Sequence, residues 1–491
     1  MKARRQALVA ILATTSTLWL TSCATTQLDA NAVLSRANSA MGADAVKTLR
    51  FAASGTGSVY GQAYLPDTQW PTVAFSSFSR TYDYDAAAMR EEFARSRSEP
   101  NGGGALPLMG EGEQRATAVL QGTLAWNMVG PAQVASPVAL DARIHDLWTS
   151  PHGVLKAAAK NKASAMEATD NGQKYSVLSF SEPGRFTAKA FINAQGLVEK
   201  VESRMPHPVM GESAVVTTYS DYKAQGAAQF PMRIRQTQEG TQVLNLQVSE
   251  VQLNAPVAIA ATDLVRGFAE RATSEVAAPG VWFIAGGSHN SVAIEMNDHV
   301  ILVESPLYDG RAAAVLSEVK RLVPNKPIRF VVNSHHHFDH AGGLRAAVAD
   351  GATLITSMPG VSFFQKAFAT PNTIAPDMLS KSGRTAKVEG YDSRRVFTDG
   401  QRSVELHAIT ANVHAMGFNM VYLPEEKLLI QADAFTPGAP NSAPPAKPNG
   451  NHLSLIANIE RLGLKVDNIL PLHCRIVPLG ELYRMVGRTA S

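Results

Sequence analysis

The chain has 491 residues, of which 45% are hydrophobic and 18% are charged, a balance that excludes a wholly disordered protein. This length exceeds what one ordinary core accommodates, so we expect two or three domains. Two cysteines are too few for a disulfide-stapled scaffold or a cysteine-rich zinc module. The formal net charge of +3 is mildly basic, which on its own would suggest a polyanionic partner.

The first 22 residues have the pattern of an export signal peptide. Three basic residues precede an uncharged apolar run over residues 8–20, which is too short for a permanent membrane helix. Residues 20–23, Leu-Thr-Ser-Cys, resemble the lipobox of bacterial lipoproteins. The resemblance implies cleavage before Cys23 and a lipid on that cysteine. Because residue 24 is not Asp, it also implies an outer-membrane lipoprotein that faces the periplasm. The alternative is an ordinary cleaved signal in which Cys23 is incidental.

Removal of this signal changes the charge of the chain. Residues 1–22 carry three of the 45 basic residues and none of the 42 acidic ones, so the remainder is formally neutral. No stripe of Lys and Arg interleaved with aromatic residues follows. We therefore expect no nucleic-acid partner, and contact with the membrane only through the lipid anchor.

The next part of the chain reads as an antiparallel, β-rich domain. Apolar residues at helical spacing over residues 31–41 predict a short opening helix. Runs rich in β-branched and aromatic residues follow, and Glu239-Gly240 predicts a hairpin between two of them. The apolar alternation slips by one residue between Val248 and Val251, which predicts a β-bulge.

A helix followed by a long β meander, just behind a lipobox, resembles the LolA-like lipoprotein-carrier fold. That fold is a curved half-barrel sheet around a helix, and it can shelter acyl chains. The alternative is a structural domain that positions the rest of the chain near the membrane. We interpret Asp141, His145 and His152 in this domain as surface or satisfied core residues rather than ligands.

From about Gly280 the pattern becomes α/β. Ten of the 13 histidines lie between residues 289 and 473, which is where chemistry is expected. The predicted elements are strands over 281–284, 292–296 and 300–304, a helix over 311–322 and a buried strand over 328–332. The predicted organisation is a signal peptide (1–22), a tether (23–30), the β-rich domain (31–265) and a second domain (275–491).

A dense group of ligand-type residues follows the last of these strands. Residues 335–340 read His-His-His-Phe-Asp-His, and two glycines follow at 342 and 343. Loops at the carboxyl ends of strands commonly hold ligands in α/β sheets. Neutral imidazole and carboxylate suit zinc and other first-row ions. The segment therefore predicts a metal site.

This segment matches the H-x-H-x-D-H signature of the metallo-β-lactamase superfamily, and the resemblance covers about residues 275–490. Further segments resemble that family in the same order: Ala-Asn-Val-His at 411–414, a hairpin at 422–430, Asp433, and Leu-Pro-Leu-His at 470–473. The resemblance implies an αβ/βα sandwich. The expected fold class is therefore two domains, an antiparallel half-barrel-like domain and this sandwich.

The resemblance also implies two metal sites and their ligands. His335, His337 and His414 would bind the first metal, and Asp339, His340 and His473 would bind the second. Asp433 would bridge both. The expected cofactors are two Zn²⁺, with iron or manganese as alternatives.

The implied reaction is hydrolysis of a small-molecule substrate by a metal-bridging hydroxide, with Asp339 as the catalytic residue that orients it. A carboxylate at position 433 fits hydrolases of esters, thioesters, lactones and phosphodiesters better than true β-lactamases. His452, beside the Pro-, Asn- and Gly-rich loop 437–451, is a candidate for protonating the leaving group; the alternative is a solvated loop residue. Two other functions stay open: an iron-dependent oxidoreductase with the same ligands, and a non-catalytic lipid- or lipoprotein-binding protein.

Several positions depart from the family pattern or lie outside it. Glu304 stands where the family commonly has an Asp that orients a metal ligand, and Cys474 stands where it commonly has Gly. We interpret Cys474 as buried and inert. His336 is expected to support the ligands or lie exposed. We interpret the remaining histidines of this half, His289, His299 and His407, as structural, with His289 as a candidate at the pocket mouth.

Overall fold

The computed structural model describes residues 26–66, 68–98, 102–104 and 112–489. The predicted signal peptide and the predicted lipidation site Cys23 lie outside these residues. A search of the described helices finds none that is both long and apolar enough to cross a membrane.

The N-terminal half forms one 14-stranded antiparallel sheet, as the fold class predicts. Neighbouring strands follow the chain order except that the first strand pairs with the eighth and the fourteenth pairs with the second. The strands are β1 (Gln27–Leu28), β2 (Thr48–Ser58), β3 (Thr72–Asp83), β4 (Ala88–Arg97), β5 (Gln114–Gln121), β6 (Leu124–Val129), β7 (Ala132–Ala135), β8 (Ser164–Asp170), β9 (Gln173–Glu182), β10 (Phe186–Ile192), β11 (Val198–His207), β12 (Gly211–Gln225), β13 (Ala228–Gln238) and β14 (Thr241–Leu253).

Three helices cover the apolar face of this sheet. They are α1 (Ala30–Met41), α2 (Leu140–Trp148) and α3 (Gly153–Lys160), and their apolar side chains join the core of the sheet. Asp29 caps α1 by accepting a hydrogen bond from the Asn31 backbone N–H. Burial alternates along strands such as β2, so every second side chain faces the helices.

The local predictions for this half are confirmed. The predicted opening helix is α1, and β13 and β14 form the predicted hairpin. Glu239 and Gly240 have φ angles of 47° and 78°, as in the two-residue turn that matches strand twist. The register of β14 against β2 shifts between Val248 and Glu250, which is the predicted bulge. The LolA-like resemblance stays a prediction.

The second half is a sandwich of two mixed sheets. A short helix, α4 (Asp263–Arg266), leads into it. The seven-stranded sheet contains β15 (Thr273–Ala278), β16 (Val281–Ala285), β17 (Ser291–Glu295), β18 (Val300–Val303), β19 (Ile328–Val332), β20 (Thr353–Ser357) and β21 (Val388–Tyr391). The six-stranded sheet contains β22 (Arg394–Thr398), β23 (Ser403–Ala408), β24 (Asn419–Leu423), β25 (Leu428–Gln431), β26 (Asn468–Pro471) and β27 (Val477–Pro478).

Helices cover both outer faces of the sandwich. They are α5 (Asp309–Leu322), α6 (Phe338–Ala341), α7 (Leu344–Asp350), α8 (Met358–Ala369), α9 (Met378–Ser382), α10 (Gly450–Leu462) and α11 (Leu479–Met485). Alternate residues of β18 face opposite cores: Ile301 and Val303 pack between the sheets, and Val300 and Leu302 pack under α5 and α7. This is the predicted αβ/βα arrangement, and it sets the carboxyl ends of β18 and β19 side by side.

The two halves touch through the segment between β2 and β3, which we call the β2–β3 loop (residues 59–66 and 68–71). The Gly61 carbonyl accepts a hydrogen bond of 3.2 Å from the Phe338 N–H, and the Tyr64 carbonyl accepts one of 2.7 Å from the Met416 N–H. The rings of Tyr60 and Phe338 meet edge to face at 5.1 Å. A loop of the N-terminal sheet therefore lies directly on the segment in which the sequence predicts metal ligands.

Candidate metal centre

The predicted metal-binding segment begins at His335, three residues after β19 ends, and continues into α6. Its two glycines allow close packing against the loop after β18. A Cβ atom on Gly342 would lie 1.9 Å from the Leu307 carbonyl oxygen, and one on Gly343 would lie 2.8 Å from the Pro306 carbonyl oxygen. These contacts fix the backbone at the carboxyl end of the segment, where only glycine allows so close an approach.

One group of converging side chains contains His335, His337, His414 and Asp433. The Nε2 atom of His335 lies 2.9 Å from Nδ1 of His337 and 3.1 Å from Nε2 of His414. The Oδ2 atom of Asp433 lies 3.2 Å from Nε2 of His335 and 2.9 Å from Nε2 of His414. These are the residues that the sequence assigns to the first metal, together with the predicted bridging carboxylate.

A second group contains His289, Asp339, His340 and His473. The Nε2 atoms of His340 and His473 lie 3.1 Å apart, and Nε2 of His340 lies 3.7 Å from Oδ2 of Asp339. Asp433 touches this group too, since its Oδ1 lies 2.8 Å from His473 Nε2 and its Oδ2 lies 3.1 Å from His340 Nε2. All seven predicted ligands are thus brought together, with Asp433 between the two groups.

The donor set fits divalent cations. Donor atoms about 2.0–2.1 Å from a tetrahedral zinc ion lie about 3.3 Å from one another, close to the nitrogen–nitrogen and nitrogen–oxygen distances seen here. Two imidazole nitrogens that face each other can share only one proton, so a proton cannot satisfy all the nitrogen lone pairs of the two groups. A bound cation would satisfy the others. Imidazole and carboxylate together suit zinc, iron or manganese.

The ionisation of the groups supports the same conclusion. Burial lowers the pKa of His335 and His337 well below the ordinary value, so both rings are neutral ligands. Loss of solvent opposes ionisation of Asp433, but the neighbouring His340 holds the pKa of that carboxyl well below its usual range. Burial also disfavours a charged His340, yet the carboxylates of Asp433, Asp339 and Glu304 outweigh burial and raise its pKa. The cluster is therefore rich in negative charge that a metal ion would balance.

Glu304 orients one of the ligands. Its side chain is fully buried, and Oε2 accepts a hydrogen bond of 2.9 Å from Nδ1 of His340, which leaves Nε2 facing the site. The Ser334 backbone N–H donates to Oε1 at 2.5 Å. Glu304 therefore orients a metal-ligand candidate, as the Asp common at this position in the family is expected to do. The backbone of Glu304 has a φ of 64°, in the left-handed region.

The β2–β3 loop supplies further supporting contacts. The Ala63 carbonyl accepts hydrogen bonds from Nε2 of His336 at 2.8 Å and from Nε2 of His337 at 2.9 Å, which leaves Nδ1 of His337 facing His335. Gln62 donates from Nε2 to Oδ1 of Asp339 at 2.8 Å. The N-terminal half therefore fixes the orientation of one residue in each group of ligands. His336 has the supporting role predicted for it.

Three interpretations from the sequence need correction. His289 is not merely structural, because its Nε2 lies 3.2 Å from Oδ2 of Asp339 within the second group. Cys474 is exposed, not buried, and its φ of 75° explains why glycine is common at this position. His452 lies in the first turn of α10 rather than in a loop; its ring meets Phe435 edge to face at 5.0 Å and joins neither group of ligands.

The sequence suggests a place for His289 at the pocket mouth, but no sequence signal predicts its contact with Asp339 or the contacts of the β2–β3 loop. His289 stands alone between β16 and β17, without a second histidine at ligand spacing. The other two histidines interpreted as structural pair with nearby acids and lie outside both groups: His299 contacts Asp298 at 2.6 Å and His407 contacts Glu405 at 2.7 Å.

Comparison with known proteins identifies the fold of the second half. A sequence model of the metallo-beta-lactamase superfamily matches residues 284–473. A curated relative, the alpha subunit of 2,4-dinitroanisole O-demethylase from Nocardioides sp. (strain JS1661), is 27% identical over 204 residues. That alignment covers 41% of this chain and 57% of the relative, so it spans little more than half of the relative's length.

Two solved structures resemble part of the chain. The metallo-beta-lactamase from Pontibacter korlensis is 15% identical with a TM-score of 0.35, and the match covers 44% of this chain and 98% of that one. The mono-zinc form of the FIM-1 metallo-beta-lactamase from Pseudomonas aeruginosa is 19% identical with a TM-score of 0.34, covering 44% and 94%.

The paired sheets and the histidine-rich centre define a metal-binding αβ/βα sandwich. Residues 284–473 match the sequence model of the metallo-beta-lactamase superfamily and have its fold, as the resemblance predicts. Members of this superfamily are generally metal-dependent enzymes.

Glu304→Gln should weaken metal binding by about 10- to 100-fold, because the charge-assisted bond that orients His340 is lost. Competition with a chromogenic zinc chelator on the full mature chain measures this. The matched control is Glu460→Gln, an exposed residue of α10 far from the centre, which should leave the affinity unchanged. Equal affinities for the wild type and Glu304→Gln would contradict the assigned role.

Gln62→Ala should weaken metal binding by about 10-fold, because Asp339 loses the bond that fixes one of its oxygens. The same chelator competition applies, with Gln401→Ala in an exposed turn as the control. A loss of thermal stability without a change in metal affinity would show that Gln62 acts only between the domains.

Proposed function

We propose that the protein is a dinuclear-zinc hydrolase of small-molecule esters, thioesters, lactones or phosphodiesters. The observation that carries this proposal is the position of Asp433, whose two carboxylate oxygens lie 2.8–3.2 Å from nitrogens of four histidines in both groups. A carboxylate shared in this way fits a bridging ligand between two cations.

Bound zinc ions would lower the pKa of a coordinated water to about 7 and polarise the scissile group. The chain's own residues prepare the site for this. His335 and His337 are neutral donors on one side, and Nε2 of His414 lies 3.1 Å from Nε2 of His335. Asp339 is held by Gln62 at one oxygen and by His289 at the other, so its position is fixed for orienting a nucleophilic water.

The charge of the centre favours an anionic transition state. Two divalent cations set against the carboxylates of Asp339 and Asp433 and one bound hydroxide would leave a formal charge of +1. A positive, largely enclosed centre stabilises negative charge that develops at the attacked carbon or phosphorus. No Ser or Cys nucleophile is needed for this reaction.

We further propose that the chain is a lipoprotein anchored through Cys23 at the periplasmic face of the outer membrane. The support is the lipobox at residues 20–23 and the signal pattern before it. A lipid anchor would confine the enzyme to substrates that reach the membrane surface.

Purified full mature chain should contain about two equivalents of zinc after zinc supplementation and should hydrolyse at least one member of a panel of chromogenic esters, thioesters, lactones and phosphodiesters. His337→Ala should reduce kcat/KM by about 100-fold or more, because a donor to the first metal is lost, while the circular dichroism spectrum is retained. His299→Ala, a histidine outside both groups, is the control. Less than one equivalent of transition metal in the zinc-supplemented wild type would refute the proposal.

A second candidate function is O-dealkylation, because the curated relative is named as an O-demethylase subunit. Incubation with 2,4-dinitroanisole separates the chemistries: hydrolysis of the methyl ether yields methanol, whereas oxidation yields formaldehyde. Iron in protein purified from its native host, with formaldehyde as product, would favour the iron-dependent oxidoreductase. Co-purified lipid with no turnover of any substrate would favour a non-catalytic carrier.

Cys23→Ala should abolish labelling of the chain by radioactive palmitate and release the protein from the outer-membrane fraction. The reason is that the predicted lipid site is removed while every predicted metal ligand is retained. Fractionation followed by immunoblotting measures the distribution, with Cys474→Ala as the control. Unchanged palmitate labelling of Cys23→Ala would contradict the anchor.

A further inference from the structure

A cleft of about 550 Å³ lies between the two halves and ends at the candidate metal centre. One wall comes from the N-terminal half and includes Tyr60 and Gln62 of the β2–β3 loop. The other wall comes from the second half and includes the metal-ligand candidate Asp339. The volume falls within the range of about 300–1,000 Å³ that is usual for small-molecule sites.

The body of the cleft is apolar. Val138 and Met205 line it from the N-terminal half, and Leu307 and Phe338 line it from the second half. Val138 is 39% exposed, so its side chain is accessible to a ligand, and it lies in a 3-10 turn over Pro137–Ala139. Phe338 is fixed by ring contacts with Tyr60 at 5.1 Å and His207 at 4.8 Å, so the wall beside the metal ligands is preformed.

The charged groups of the cleft are all acidic. Asp141, Asp309, Asp339 and Asp377 line it, and no Lys or Arg lines it in the part of the chain that the structure describes. Arg185 pairs with Asp141 and Arg345 pairs with Asp377, which offsets two of these charges. Asp309 accepts a hydrogen bond of 2.7 Å from the Met378 N–H; among the described residues it forms no ion pair within 4.0 Å, and Arg345 and Lys381 act on it only from a greater distance. A negatively charged group on a bound ligand would therefore be repelled by the carboxylate of Asp309.

We infer that this cleft binds the non-reacting part of the substrate, and that this part is an apolar chain or ring without negative charge. The inference rests on the proposed hydrolase function and narrows it. Substrates whose non-reacting part is uncharged fit the cleft, whereas substrates whose non-reacting part carries a carboxylate or a phosphate do not. The β2–β3 loop then has two roles, because it supports the metal ligands and forms the wall on which the substrate lies.

The test compares two p-nitrophenyl esters of equal length on zinc-loaded full mature chain. One ends in a methyl group, and the other ends in a carboxylate. We expect kcat/KM for the neutral ester to exceed that for the carboxylate ester by at least about 10-fold, mainly through KM, because the carboxylate meets Asp309. Asp309→Asn should reduce this preference. Equal rates, or a preference for the carboxylate ester, would overturn the inference.

A substitution that fills the cleft gives an independent test. Val138→Trp should raise KM for the neutral ester by about 5-fold or more, and by more for longer acyl chains. Val396→Trp, an equally exposed valine of β22 outside the cleft, should leave KM unchanged. An unchanged KM in Val138→Trp would exclude the cleft as the substrate site and leave the hydrolase function standing.

If the proposed hydrolase function is wrong, the zinc-loaded protein should cleave no ester at all. That result differs from an unchanged KM in Val138→Trp. The uncleaved neutral ester then serves as the probe in isothermal titration calorimetry. Binding to the wild type and its loss in Val138→Trp would support the cleft without hydrolysis. Equal binding to both proteins, or no binding to either, would overturn the inference.

Discussion

The convergence of four imidazole nitrogens on the single carboxylate of Asp433 is the constraint on which this half of the molecule depends. Each nitrogen lies within 3.2 Å of one of its oxygens, and the four rings come from three separate segments of the chain. Buried polar groups at such distances are costly unless a charge of the opposite sign stabilises them. Without a metal, the carboxylates can do this only in part, by holding a proton on His340.

The surrounding structure is built to hold this arrangement. The carboxyl ends of β18 and β19 lie side by side, so Glu304 reaches both His340 and the backbone of the ligand segment. The left-handed backbone at Glu304 is a local cost of about 1–3 kcal/mol that the neighbouring hydrogen bonds offset. The backbone at Gly342 and Gly343 lies so close to the loop after β18 that no larger residue fits there. The ligands are therefore oriented before any metal arrives.

Local patterns in the sequence were sufficient for much of this structure. Helix α1, the hairpin at Glu239-Gly240 and the bulge near Val248 depend on neighbouring residues, and each was predictable from spacing alone. The seven ligand candidates were found because their residue types and order resemble a family. The contact between Ala63 and His336 spans 273 residues and uses a backbone carbonyl, which carries no signature in a sequence. His289 was misjudged for a related reason, since only the fold brings it to Asp339.

The β2–β3 loop contacts the candidate metal centre from outside the part of the chain that matches the family model. The family match begins at residue 284, yet Gln62 and Ala63 bond to Asp339 and His337. More than half of the lining residues of the adjoining cleft belong to the N-terminal half, including Tyr60 and Val138. The segment that matches the family model therefore contains the seven candidate ligands, while much of the surface that would select a substrate lies outside it. The residues that would distinguish one substrate from another are thus found in the half of the chain that the family model does not match.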